Sequence, residues 1–180
     1  MAVKTTLKVF LKTITIFGAA VACGLTHAGG FEQQKIQAAF IYQFTNYIAW
    51  PDHDLEGTTP FIISVVGDPT LAKALEQIAE TKKVKNRAIQ IQSVGYVSDL
   101  KRSHIVFVGP GDVLLKEAAK KTRGWNALIV SNGDGLTTKG AMISFFLENG
   151  RLRFEISQSA LENESLRANS QLLKLAKIVE

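Results

Sequence analysis

Asp52, His53, Asp54 and Glu56 are the densest group of metal-ligand side chains in the chain. Neighbouring loop residues seldom converge on one ion without a distant further ligand. Beyond His27 and His53 the sequence holds only His104, so a solvated loop is the expectation here. A Ser/His/Asp triad would have to use His53 or His104. His104 stands at the start of an apolar run, which assigns it a structural role, hydrogen bonding the loop before it. Ser131-Asn132-Gly133-Asp134-Gly135 follows a strand-like run, the place where open α/β sheets bind ligands. It lacks the alternating acids and closing glutamate of a calcium loop. Ile129 replaces the first glycine of a G-x-S-x-G elbow, so a tight turn is expected. Gly67-Asp68-Pro69 carries a single glycine, and neither G-x-G-x-x-G nor a P-loop is present. Lys82-Lys83-Val84-Lys85-Asn86-Arg87 reads as a solvated basic turn, with contact to anionic cell-wall or lipid groups as its functional alternative. None of these groups assembles a catalytic centre, a metal site or a cofactor cradle, so no enzyme and no cofactor are expected.

The elements that would position these residues centre on Ala141–Ile156. Met142–Leu147 and Arg151–Ile156 read as two strands joined by Glu148-Asn149-Gly150, because Asn-Gly suits a type I′ turn with both φ values positive. Leu152, Phe154 and Ile156 alternate with Arg151, Arg153 and Glu155, which places the charged set on the opposite face. Upstream, Glu32–Trp50 has helical spacing through Ile36, Phe40, Phe44, Tyr47 and Ile48, with Ala39 on the same side. Ile41 and Tyr42 widen that arc, so the helix should be covered on most sides. Trp50-Pro51 ends it. Phe61–Val66 is an unbroken apolar strand, and Asp68 and Pro69 suit the N-cap and first position of a helix with Leu71, Leu75 and Ile78 inward. Ala88–Val94, Ile105–Val108 and Ala127–Val130 are further strands. A third helix runs from Pro110-Gly111-Asp112 to about Thr122, and a last one covers Gln171–Val179. Strands alternating with helices and closing on a hairpin define an α/β fold: a three-layer α/β/α sandwich, mostly parallel, with a C-terminal antiparallel hairpin.

The first 28 residues read as a secretory signal peptide. Lys4, Lys8 and Lys12 precede or enter an apolar stretch, no acid occurs before Glu32, and Thr26-His27-Ala28 offers a small-residue cleavage site. The run Thr13–Leu25 is shorter than the roughly 20 residues of a membrane span. A lipoprotein reading, with Cys23 lipidated after Ala20-Val21-Ala22, is the alternative. Residues 29–180 then form a single domain of ordinary size. The chain has 21 Lys and Arg against 16 Asp and Glu, and three of those lysines leave with the signal. The remainder is near charge balance and makes no case for nucleic acid. Cys23 is the one cysteine, so the mature domain must stand on its core alone.

Several stretches, taken in order, resemble the YfiR family of periplasmic proteins. They are Ala38-Ala39-Phe40-Ile41-Tyr42-Gln43-Phe44 running to Trp50-Pro51, Ile62–Asp68, Lys85-Asn86-Arg87-Ala88-Ile89, and Ser103-His104-Ile105-Val106-Phe107-Val108. Met142–Phe145, Gly150-Arg151-Leu152-Arg153-Phe154-Glu155-Ile156 and Leu172-Leu173-Lys174-Leu175-Ala176 complete the set. The resemblance implies a periplasmic regulator without catalysis of its own. Such a protein binds the periplasmic sensor domain of an inner-membrane diguanylate cyclase and holds it inactive, lowering cyclic di-GMP and biofilm formation. It also implies a homodimer; an outer-membrane or cell-wall-associated partner is a separate expectation. Family members often carry a disulfide-forming cysteine where Ser103 stands here, which removes that redox control. The resemblance places partner binding at Phe154, Glu155 and Leu161. The alternating pattern expects Glu155 on an exposed strand face, paired with Arg151 or Arg153 if it has no partner role, and Phe154 in the core. A small-ligand sensor using the loops at Gly67-Asp68 and Ser131–Gly135 is the alternative function.

Overall fold

The computed structural model describes residues 28–51 and 58–180. The signal-peptide reading and the Asp52–Glu56 group lie outside those residues. Helix α1 (Ala28–Tyr47) leads into a two-residue strand β1 (Ile48–Ala49), followed by β2 (Phe61–Val66), α2 (Pro69–Ala79), β3 (Lys83–Val84) and β4 (Arg87–Val94). Next come β5 (Ile105–Val108), α3 (Asp112–Lys121), β6 (Leu128–Asn132), β7 (Ile143–Glu148) and β8 (Arg151–Ser157). The chain closes with α4 (Gln158–Asn163), β9 (Arg167–Ala168), α5 (Ser170–Leu173) and β10 (Lys177–Val179). Eight strands form one sheet in the order β10-β8-β7-β6-β5-β2-β4-β3, and β1 pairs antiparallel with β9 in a small second sheet. The run β4, β2, β5, β6, β7 is parallel; β8 is antiparallel to β7, and β10 is parallel to β8.

Local chemistry accounts for the boundaries. Asp68 accepts a hydrogen bond from Leu71 N at 2.9 Å and Pro69 opens α2, so the cap and first turn are as expected from sequence. The β7–β8 turn has Asn149 at φ 51° and Gly150 at φ 73°, with Glu148 opposite Arg151, as a type I′ turn requires. Strand register places Phe61, Ile63, Phe107, Leu128, Ile143, Phe145, Phe154 and Ile156 on one face of the sheet. There Phe44 stacks on Phe145 at 5.9 Å and meets Phe154 edge-on at 5.4 Å, seating α1 against the hairpin. Trp50 meets Phe61 edge-on at 5.4 Å and holds the other end of the same layer.

Two boundaries differ from the periodicity. The first helix stops at Tyr47, and Ile48 and Ala49 turn out to pair with Ala168 and Arg167. Its buried side is also rotated. Gln37, Ala38, Ile41, Phe44 and Thr45 are buried, whereas Ile36 is 49% exposed. An apolar arc this wide leaves the helix phase to its neighbours, and α2 and the hairpin choose it. The expected last helix is one turn, α5, followed by the edge strand β10. Ile178 and Val179 are β-branched and gain ladder bonds against β8 there.

Candidate partner-binding site

The three residues singled out for partner binding lie on the last strand and the short helix after it. Phe154 is 3% exposed and sits between Phe40, at 5.8 Å, and Phe44, so it belongs to the core as expected. Leu161 is 1% exposed. It is carried inward by α4, whose N-cap Ser157 accepts from Ala160 N at 3.2 Å. Its carbonyl accepts from Leu166 N at 2.9 Å, which turns the chain toward β9.

Glu155 is the correction. The sequence pattern puts it on an exposed strand face, yet it is 1% exposed. The 3₁₀ turn Leu136–Lys139 folds over that face and covers the side chain. Glu155 Oε1 accepts from Thr137 Oγ1 at 2.9 Å and from Thr137 N at 3.3 Å, and Lys177 Nζ lies 3.6 Å from Oε2. The expected pairing with Arg151 or Arg153 is not the one observed, since Arg153 meets Glu148 at 3.5 Å. Strand pairing explains the choice: Lys177 is directly opposite Glu155 on β10, a neighbour the sequence could not place. Lys177 also approaches Asp134 at 3.7 Å and the Phe146 ring at 5.3 Å, tying the edge strand to the Ser131–Gly135 turn and to the hairpin.

Around these buried residues the outward groups are Leu175, 65% exposed, Ile178, 43% exposed, and the outer part of Lys177. Lys177 shares the face of Glu155 and Ile178 that of Ile156, so the edge strand exposes a charge on one face and an apolar side chain on the other. Sequence reasoning missed β10, because a three-residue strand has no periodicity to find. Its only signal was the pair of β-branched residues after Lys177.

The other candidate groups are structural. His104 Nδ1 accepts from Ile62 N at 2.9 Å, and its ring stacks on Phe61 at 4.4 Å. Its backbone carbonyl accepts from Leu128 N and from the Trp50 indole. The bond therefore runs to the start of β2 rather than to the loop before His104. Ser103 is buried; its hydroxyl lies 2.7 Å from Ser64 Oγ and donates to Lys101 O at 2.7 Å. Arg87 is not part of a solvated turn. It is 5% exposed and donates to Thr59 O, Thr59 Oγ1 and Pro60 O, locking the start of β2.

The sheet's topological switch point lies between β2 and β5, where a ligand crevice would open in a fold of this class. Backbone fills it. Gly109 N donates to Val66 O at 2.8 Å, and a Cβ on Gly109 would stand 3.1 Å from Val66 O and Gly67 O. Ser131–Gly135 is an ordered turn, with Gly133 N donating to Phe145 O at 2.8 Å and Ser131 Oγ donating to Val108 O. Among the described residues no group of three metal-ligating side chains comes together, and no helix is long and apolar enough to cross a membrane.

These features define a mixed α/β module in which the described His104, Ser103, Arg87 and Glu155 each bond to other parts of the fold. The YfiR/HmsC-like family model matches residues 34–177, and the chain belongs to that family. The match spans α1 to the first residue of β10, so it includes the hairpin, α4 and the Lys177–Glu155 pair. The family is regulatory and points to a periplasmic regulator of cyclic di-GMP signalling. No curated protein matches the chain.

Proposed function

We propose that this protein is exported by its first 28 residues and binds the periplasmic sensor domain of an inner-membrane diguanylate cyclase. Binding holds the cyclase inactive, lowering cyclic di-GMP and biofilm formation. The observation that carries this reading is the family match across 34–177. Partner binding is assigned to the C-terminal edge. Phe154, Glu155 and Leu161 brace that edge from beneath, and Leu175, Lys177 and Ile178 meet the partner. Exposed apolar side chains on an edge strand suit a protein interface better than a small-molecule cleft.

A crosslinked pull-down from membranes with the tagged 29–180 domain tests both parts, run beside Ile178→Asp and Glu155→Gln. Recovery of one diguanylate cyclase with the parent, and its loss with Ile178→Asp at unchanged stability, is the expected result. Equal recovery with Ile178→Asp would keep the function and remove the surface. Failure to recover any cyclase under conditions where one is expressed would overturn the function.

A further inference from the structure

The opposite edge of the sheet is built differently. β3 pairs with β4 only through Lys83 with Ala88 and Val84 with Arg87. From Ile89 to Val94 the described residues supply β4 with a partner on one side only, β2. Its outer main-chain N–H and C=O groups are an open template for another strand over that length. Alongside lies a shallow, open groove of about 540 Å³ between this edge and α2, lined by Glu76, Ala79, Glu80, Ile89, Gln90 and Ile91 among others. Ile89 and Ile91 are half-buried and share the face of Phe61 and Ile63, so they floor the groove. Glu76 and Glu80, one helical turn apart, are exposed on its far wall.

We propose that this groove binds an extended segment of a partner protein by strand addition to β4. Main-chain bonds to Ile89–Val94 supply binding that depends little on sequence, and side chains of one parity enter the groove. The walls specify their chemistry: an apolar side chain against Ile89 and Ile91, and lysine or arginine facing Glu76 and Glu80. Lys82, Lys83 and Lys85 at the end of the groove would repel a segment basic along its whole length beyond the glutamates, which limits the basic stretch to that wall. This surface is at the edge farthest from β10, so it stands whether or not the cyclase docks at the C-terminal edge.

The test uses the isotopically labelled 29–180 domain and a capped hexapeptide with valine, lysine and valine at the positions of one parity and threonine between them, so that all three enter the groove together; it is followed by amide chemical shifts and hydrogen exchange. Expected are shifts confined to Ile89–Val94 and Glu76–Glu80, with slowed exchange of the outward β4 amides. Glu76→Lys and Glu80→Lys should each weaken the peptide roughly two- to fivefold, the range of exposed ion pairs. A peptide N-methylated at the residues whose N–H faces β4 should not bind, and one with glutamate in place of the lysine should bind more weakly than the lysine peptide. The proposal is overturned if millimolar peptide leaves these amides unchanged, or if the N-methylated peptide binds equally. Equal binding to the Glu76→Lys, Glu80→Lys double variant would also overturn it. Concentration-dependent shifts of β4 without peptide would replace it with pairing between two copies of the chain.

Discussion

Replacing Glu155 by glutamine probes the point where the folded protein departs most from its strand pattern. The substitution keeps the volume and the Oε1 acceptor, so Thr137 retains the bonds now 2.9 and 3.3 Å long. What is lost is charge. Hydrogen bonds to an ionised acceptor contribute about 1.5–3 kcal/mol, against roughly 1 kcal/mol for neutral pairs. The Lys177 contact adds little, because its side chain is 56% exposed and such pairs contribute about 0–1 kcal/mol. Glu155→Gln should therefore cost about 1–2 kcal/mol, lowering Tm by about 2–8 °C for a domain of this size. Glu155→Lys should cost about 3–5 kcal/mol, because it buries an ammonium beside Thr137 and opposite Lys177. Urea unfolding of the 29–180 domain measures both, and Lys177→Gln closes a double-mutant cycle whose coupling should stay below about 1 kcal/mol. If Glu155→Lys unfolds within about 0.5 kcal/mol of the parent at the same m-value, the typical range of a surface substitution, the side chain is exposed and the reasoning fails. The same numbers govern any binding study. Loss of cyclase binding in Glu155→Lys would report unfolding, whereas Glu155→Gln leaves a folded domain to assay.

Leu161→Ala should cost about 2–5 kcal/mol and Phe154→Ala about 3–5 kcal/mol, both read by denaturant unfolding; values under 1 kcal/mol would place these side chains at the surface. Arg87→Lys keeps the charge but loses the planar fork that grips Thr59 and Pro60, so about 1–3 kcal/mol should disappear, with faster amide exchange at the start of β2. Asn149→Ala, at φ 51°, should cost about 1 kcal/mol by the same unfolding assay, and Asn149→Gly should not. Gly109→Ala should destabilise because its new Cβ meets two backbone carbonyl groups; if instead it were neutral by Tm, the switch point would be looser than drawn.

Much of this molecule is legible in local chemistry. The Asn149-Gly150 turn, the Asp68-Pro69 helix start and the apolar runs of β2 and β5 each depend on a few adjacent residues, so their positions follow from sequence. The α/β class follows from their order. A family resemblance carries over nearly the whole domain. Contacts between segments far apart in the chain are another matter. Alternation says that Arg151, Arg153 and Glu155 share a face, but not that a turn around Thr137 will close over Glu155 alone. Nor does it say that Lys177 will arrive opposite Glu155, on a strand too short to show a period. Arg87 looks like one more charge in a basic run until β2 brings the Thr59 and Pro60 carbonyls to it. Side-chain direction follows from covalent geometry, whereas burial depends on what packs above, and only the assembled sheet and its covering turns decide that.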